Sequence, residues 1–193
     1  MANERQAFSA VHIGLIAATT WILLLNAVVG FQIIDDGTPL SLALMVSSAA
    51  VLLIGTGYIA LDTGLQWTGF WDSSYTAPNR NIALYVLYQL APLVFIVLFY
   101  VLEAILVLRI LGEKAPMLYI TGAAILFAGG QVINYVASPH ICNGTDGKID
   151  GALFQTFLTL ASVILVWVFW SSITEDDWQI PTQISVGNNY PQA

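Results

Sequence analysis

Charged side chains divide the chain into five long uncharged stretches, residues 6–34, 37–61, 81–102, 115–145 and 151–174. Each stretch has room for the roughly 20 apolar residues that cross a bilayer as an α-helix. The pattern predicts an all-α fold, a polytopic membrane helix bundle with about five transmembrane helices over residues 9–34, 39–62, 81–111, 117–137 and 152–173. It also predicts one multi-span membrane domain over residues 1–178 and a disordered C-terminal tail over residues 179–193.

A turn signal joins the first two apolar stretches. Gly37 can take the left-handed conformation that follows a helix, Thr38 can accept a backbone N–H as an N-cap, and Pro39 suits a first helical turn. The sequence therefore predicts a tight turn that folds the second helix back on the first. Asp35 and Asp36 precede this turn, close to the positive N-terminal end of the second helix. They form either a solvated acidic turn or a docking point for a partner.

Composition agrees with a membrane protein and narrows the choice of partners. Hydrophobic residues make up 58% of the chain and charged residues only 9%, whereas about a quarter of the residues in soluble domains are charged. The net charge of −7 argues against nucleic acid as a partner. The single cysteine, Cys142, excludes an intrachain disulfide and a cysteine-based zinc site. No metal and no cofactor is expected.

Polar and small side chains mark particular helices. Gly14 and Ala18 give the first helix a small-residue face, and the same helix carries Asn26. Near one end of the fourth helix lie Gln131 and Asn134. The small residues of that fourth helix are Gly122, Ala124, Ala128, Gly129 and Gly130. Such faces favour close helix packing with interhelical hydrogen bonds.

The third predicted helix contains the charge that is hardest to explain, Glu103. An intramembrane carboxylate is costly and is rarely left facing lipid. Glu103 either lies near the end of a tilted helix and reaches the interface, or faces the interior against a polar group of another helix; we favour the second. Pro92, in the same helix, removes a backbone hydrogen bond and is expected to kink it.

Two loops carry further candidates. The segment 63–81 is dense in aromatic residues, namely Trp67, Phe70, Trp71 and Tyr75. It is either an interfacial aromatic belt or a partner-binding loop. The segment 138–151 is predicted to be a loop and contains the sequon Asn143-Gly144-Thr145, a weak signal for glycosylation of Asn143. If the sequon is used, its side of the membrane is luminal and the C-terminal tail is cytosolic.

Known catalytic motifs are absent from the sequence. It contains no G-x-S-x-G, no H-E-x-x-H and no glycine-rich phosphate loop. The residues alone therefore favour an interaction protein over an enzyme. The alternative is a small-molecule transporter or receptor-like membrane bundle, whose cavity would be lined by Gln89, Glu103, Gln131 and Asn134.

Short blocks between residues 20 and 178 resemble one known family. They are Leu25-Asn26, Gly30-Phe31-Gln32, Asp36-Gly37-Thr38-Pro39-Leu40-Ser41, Gly130-Gln131-Val132-Ile133 with Tyr135, Ile141-Cys142-Asn143 followed by Asp150-Gly151, and Trp170-Ser171-Ser172-Ile173-Thr174 with Asp176-Asp177. With these blocks in this order, the chain resembles the fungal chitin synthase export chaperone family. No block is a catalytic signature.

The resemblance implies a multi-pass protein of the endoplasmic reticulum membrane that helps chitin synthase fold and reach the cell surface, and so supports cell-wall chitin synthesis. Chitin synthase is the implied client, with membrane lipid and vesicle-export machinery as further partners. Family members resemble seven-span proteins, so the chain is expected to lack an N-terminal part, as a shortened member, a fragment or the product of a misread gene start.

We expect partner contact from two kinds of surface. The small-residue and amide faces of the first, third and fourth helices are expected to shield polar seams of an incompletely assembled synthase within the membrane. The acidic turn and the acidic tail would contact the synthase or the export machinery. The candidate contact or structural residues are Asn26, Gln32, Asp35, Asp36, Gly37, Pro39, Glu103, Gln131, Asn134, Asp176 and Asp177.

Overall fold

Helices account for all of the regular structure in the described part of the chain. The computed structural model describes residues 2–32, 37–71, 81–112, 114–144 and 150–174. Five helices are long and apolar enough to cross a membrane. They are α1 (Ala2–Gly30), α2 (Pro39–Leu65), α3 (Ile82–Leu111), α4 (Ala115–Gly144) and α5 (Gly151–Thr174). The prediction of an all-α membrane protein with five spans is confirmed.

The turn before α2 has the predicted local chemistry. Gly37 has a φ of 71°, in the left-handed region that glycine enters at little steric cost. Thr38 is the N-cap, and its hydroxyl oxygen accepts the backbone N–H of Ser41 at 3.2 Å. Pro39 is the first residue of α2. The predictions for these three residues are confirmed, whereas Asp35 and Asp36 lie outside the described residues.

Two prolines lie inside the membrane helices, and each follows a widened turn. The π-helical turn Val86–Leu90 ends two residues before Pro92, and the π-helical turn Ile133–Ala137 ends two residues before Pro139. Proline lacks an N–H, and its ring collides with the carbonyl four residues back, so a wider preceding turn relieves the collision. The disturbance expected at Pro92 thus takes the form of a π-helical turn.

The π-helical turn before Pro139 explains why the predicted C-terminal end of the fourth helix is wrong. The fourth helix was predicted to end at residue 137, with a loop from residue 138 onward. The structure instead continues the helix through Ser138–Gly144, because the π-helical turn before Pro139 lets the chain remain helical. Asn143 therefore lies on the last helical turn of α4, where it is exposed.

The chain divides into two compact units, Met1–Gly112 and Glu113–Ala193. In the first unit, α1 and α2 run antiparallel and pack closely at Gly14. A Cβ placed on Gly14 would lie 2.8 Å from the carbonyl oxygen of Leu53. Trp21 of α1 joins the other two helices of this unit, because its indole N–H donates to Ser48 at 3.0 Å and its ring packs on Phe95 at 5.1 Å.

The second unit contains α4 and α5, also antiparallel. A Cβ on Gly130 would lie 3.3 Å from Cβ of Leu158, and a Cβ on Gly122 would lie 3.2 Å from a methyl group of Leu165. The buried hydroxyl of Ser162 donates to the carbonyl oxygen of Ala123 at 2.9 Å. Small residues of α4 thus allow close approach, and a hydroxyl adds an interhelical hydrogen bond.

Candidate functional site

Glu103 is the most unusual side chain of the first unit. It has no solvent exposure, and neither carboxyl oxygen has a hydrogen-bond partner among the described residues. It lies on the face of α3 that also buries Phe99, Leu106 and Val107. The expectation that Glu103 faces the interior is therefore met, but the structure shows no polar group of another helix bonded to it.

Contacts with α1 locate Glu103 within this unit. The ring contact of Trp21 with Phe95 lies before it along α3, and the close approach of Gly30 to Leu106 lies after it. These two contacts show that α1 and α3 run in the same direction, with Glu103 beside the part of α1 between residues 21 and 30. No charged residue occurs between residues 6 and 34, so α1 supplies no countercharge there.

An unpartnered carboxyl group in this position carries an energetic cost. A buried polar group without a hydrogen bond loses its hydration and gains nothing in return. Within a membrane span such a residue is a functional candidate by default. Glu103 is therefore the first candidate for a functional residue in the described part of the chain.

Asp62 is a second buried carboxylate, and its environment is the opposite of that of Glu103. It is 1% exposed and lies in the last turn of α2. Thr68 donates its backbone N–H to one carboxylate oxygen at 2.8 Å and its hydroxyl to the other at 2.7 Å. Asp62 thus has a structural partner on each oxygen and holds the loop that follows α2.

Three side-chain amides predicted as candidates have different environments. Asn26 donates to the carbonyl oxygen of Ile22 at 3.0 Å, which is a bond within its own helix. Gln131 accepts a hydrogen bond from Gln155 of α5 at 3.1 Å. Asn134 is half-buried in the π-helical turn of α4. The interhelical hydrogen bond expected of the amides is therefore observed for Gln131.

We predict a modest coupling between Gln131 and Gln155. Changing either residue to alanine removes one interhelical hydrogen bond, and such bonds in membranes contribute about 0.6 kcal/mol on average and about 1.7 at most. A double-mutant cycle read by thermal unfolding in detergent should return a coupling in this range. The matched control pairs Gln131 with Thr156, which is exposed and bonds within its own helix. Equal coupling in both cycles would contradict the prediction.

Other predicted contact residues are dispersed. Gln32 is exposed just after α1, where its φ is 55°. Asp176 and Asp177 lie outside the described residues, as do Asp35 and Asp36. The four residues predicted to line a transporter cavity do not lie in one unit. Gln89 and Glu103 belong to the first unit, whereas Gln131 and Asn134 belong to the second.

The small-residue faces are used in part within each unit, as the prediction of close helix packing has it, and shielding of a client stays a prediction, since Ala124 and Ala128 remain exposed. On α1, Gly14 and Ala18 are buried, and Gly14 packs against α2. On α4, Gly122 and Gly130 pack against α5. The physical reason is that a close-packing face gains more by meeting a helix of its own unit than by facing lipid.

Several structural residues escaped the sequence analysis, namely Trp21, Ser48, Thr68, Asn81, Gln155 and Ser162. Each acts through a partner on another element or loop. A useful signal was available only for Asn81, which directly precedes the third apolar stretch in the manner of an N-cap. Across the described residues, no three His, Cys, Asp or Glu side chains are grouped so that they could hold a metal ion.

Comparisons with known proteins agree on one family. The sequence model for the family described as chitin synthase export chaperone matches residues 1–184. A protein of that name from Chaetomium globosum is 35% identical over 94% of this chain and 53% of its own length. Another from Aspergillus fumigatus is 34% identical over 92% of this chain and 52% of its own.

A third relative of the same name, from Neurospora crassa, is 32% identical over 94% of this chain and 49% of its own length. The chain therefore spans about half the length of the relatives it matches. No solved structure matches it. Because the match of the family's sequence model extends over all five helices, the chain belongs to the chitin synthase export chaperone family.

Proposed function

We propose that this chain assists the folding and export of chitin synthase from the endoplasmic reticulum to the cell surface, and so supports chitin synthesis in the fungal cell wall. The observation that carries the proposal is the match to relatives named for this activity along 94% of the chain. In this proposal the chain is a multi-pass protein of the endoplasmic reticulum membrane, with its C-terminal tail in the cytosol. It acts by contact and not by catalysis.

Burial in the structure guides which surfaces we assign to the client. Gly14 and Gly130 are committed to packing within their own units. The outward faces of the helices remain apolar, as at Val51 and Ile54 of α2. We assign contact with the membrane part of the synthase to such outward faces. Asp35, Asp36, Asp176 and Asp177 are assigned to contact with the synthase or with vesicle-export machinery on the cytosolic side.

The decisive experiment measures delivery of the client. In fungal cells whose only family member is this chain, chitin synthase should reach the cell surface, as measured by the fraction of tagged synthase labelled from outside. The same cells with an empty vector give the fraction of labelled synthase in the absence of any family member. Retention of the synthase in the endoplasmic reticulum, with this chain present at the abundance of a functional relative, would refute the proposal.

Variants of the acidic segments test the assigned contacts. Changing Asp36 and Asp176 together to asparagine should lower co-purification of the synthase, because it removes charge without removing volume. Changing Asp150, an exposed acidic residue outside both segments, to asparagine is the matched control. Unchanged co-purification in the double variant would remove the acidic segments from the mechanism while leaving the delivery result intact.

A further inference from the structure

The loop after α2 presents aromatic side chains outward. Residues 66–71, here named the aromatic loop, follow the end of α2 at Leu65. Trp67 is 61% exposed and Phe70 is 79% exposed. The ring of Phe70 packs edge-on against that of Trp71, with centroids 5.0 Å apart. Two large aromatic groups thus project from the segment that directly follows a membrane span.

The N-terminal half of the aromatic loop is held by Asp62. Gln66 ends α2 in the left-handed conformation and donates its N–H to the carbonyl oxygen of Asp62 at 2.7 Å. Thr68 donates to both carboxylate oxygens of Asp62, and its hydroxyl oxygen also accepts the N–H of Phe70 at 3.2 Å. Gly69, with a φ of 67°, allows the reversal between Thr68 and Phe70. The buried carboxylate of Asp62 therefore holds Thr68, which lies between the two exposed aromatics and bonds to the backbone of Phe70.

The C-terminal half of the loop is held by Asn81. Its side-chain amide donates to the hydroxyl of Thr63 and to the carbonyl oxygen of Trp71. Its side-chain oxygen accepts the N–H of Leu84 at 3.0 Å and so caps α3. The same residue thus ties the end of α2, the aromatic loop and the start of α3 together.

The position and charge of the loop indicate what its aromatics meet. The aromatic loop directly follows the end of one membrane span, so it lies near one membrane face, and residues 63–71 contain no charged side chain. Ile82, at the start of α3, is 72% exposed and continues the apolar surface. Aromatic side chains at the ends of membrane spans favour the boundary between lipid headgroups and acyl chains. Because backbone order is already achieved by internal hydrogen bonds, insertion there costs little further conformational entropy.

We propose that the aromatic loop is a preorganised lipid anchor in which Trp67 and Phe70 insert at the headgroup boundary of a phospholipid bilayer. Asp62 and Asn81 are positioning residues, since they hold the loop in the inserting conformation without touching lipid. The anchor fixes the depth of α2 and α3 in the membrane. It is independent of the identity of the client and so of the proposed function.

The test uses the single cysteine of the chain. A Cys142→Ser background with Phe70→Cys is labelled with bimane, an uncharged aromatic fluorophore, and placed in phosphatidylcholine nanodiscs. The label should be quenched by lipids with a spin label near the headgroup and protected from aqueous iodide. Ser47→Cys, which is exposed two turns inside α2, is the matched control and should respond to spin labels in the acyl chains.

The positioning role is tested in the same assay. Asp62→Ala and, separately, Thr68→Val should raise quenching of the Phe70 label by iodide several-fold while the Ser47 label is unchanged, which shows that the helices remain in place. Thr68→Val keeps the hydrogen bond from the backbone N–H of residue 68 to Asp62. It therefore still tests the positioning role if the Asp62→Ala variant fails to fold. Iodide access to the Phe70 label in the parent chain would overturn the anchor. Protection from both iodide and lipid quenchers would also overturn it, in favour of a protein partner. An unchanged signal in Thr68→Val would remove the positioning role.

Discussion

Replacing Glu103 with methionine is expected to make the chain more stable. The carboxyl group is fully buried, and its oxygens have no hydrogen-bond partner among the described residues. Methionine has a similar length and volume, so the substitution removes the unmet polar group without opening a cavity. The cost of such a group is about 1–3 kcal/mol. Thermal unfolding of the purified chain in one detergent should therefore shift to higher temperature by a corresponding amount.

Two further variants make this expectation specific to the carboxyl group. Ile105→Met, on the outward face of the same helix, should leave the unfolding temperature nearly unchanged. Glu103→Lys places a longer charged group in the same apolar site and should destabilise the first unit strongly. A lower unfolding temperature for Glu103→Met would show that the carboxyl group contributes favourable interactions.

The same methionine variant separates stability from function. Proteins retain destabilising residues at functional positions, so a variant that gains stability there commonly loses activity. If Glu103 serves the chaperone, Glu103→Met should deliver less synthase to the cell surface although more of the chain is folded. Normal delivery by the stabilised variant would assign Glu103 no role in export.

Replacing Gly14 with leucine is expected to break the pairing of α1 with α2. Even a Cβ would lie 2.8 Å from the backbone oxygen of Leu53 and 3.4 Å from the backbone nitrogen of Gly57. Backbone atoms cannot rotate away, so the helices must separate and lose the close packing that holds membrane helices together. Gly14→Ala should cost about 1–3 kcal/mol, as overpacking does elsewhere, and leucine more.

Gly55 offers a matched control on α2. A Cβ there would meet nothing within 4 Å, so Gly55→Leu fills open space and Gly55→Ala should be neutral or slightly stabilising. All four variants can be compared by the fraction that remains monodisperse after heating in detergent. Equal loss in the Gly14→Leu and Gly55→Leu variants would show that the close approach at Gly14 does not limit stability.

Some features follow from the sequence with little ambiguity. The five spans were predictable because each uncharged stretch is longer than a bilayer requires and charge inside the bilayer is expensive. The turn at Gly37, Thr38 and Pro39 was predictable because left-handed backbone, capping and fixed φ are properties of single residues. The boundary of α4 was misplaced because residues 138–151 were predicted to be a loop, whereas a π-helical turn accommodates Pro139 and the helix continues to Gly144.

The candidate site was less predictable. Helical periodicity indicates that Gly14 and Ala18 share a face, but it does not say whether that face meets a client or a neighbouring helix. The partners of Asp62 and Gln155 are a loop threonine and an amide on another helix, 24 residues away in the second case. The Gln155 pair depends on how the helices are rotated and staggered, and the Asp62 pair depends on how the loop folds back onto the helix end; the hydropathy pattern encodes neither.

The sequence by itself determined that this protein has five apolar helices and resembles its family, because hydropathy, capping chemistry and the order of short blocks are all readable along one chain. Only the tertiary structure decided that Glu103 is buried without a partner, that Gly14 is used within its own unit, and that Asp62 holds an exposed aromatic loop. The first two properties arise from close approach between residues distant in sequence, and the third arises from a loop that folds back onto the helix end six residues before it, so all three exist only in the folded chain.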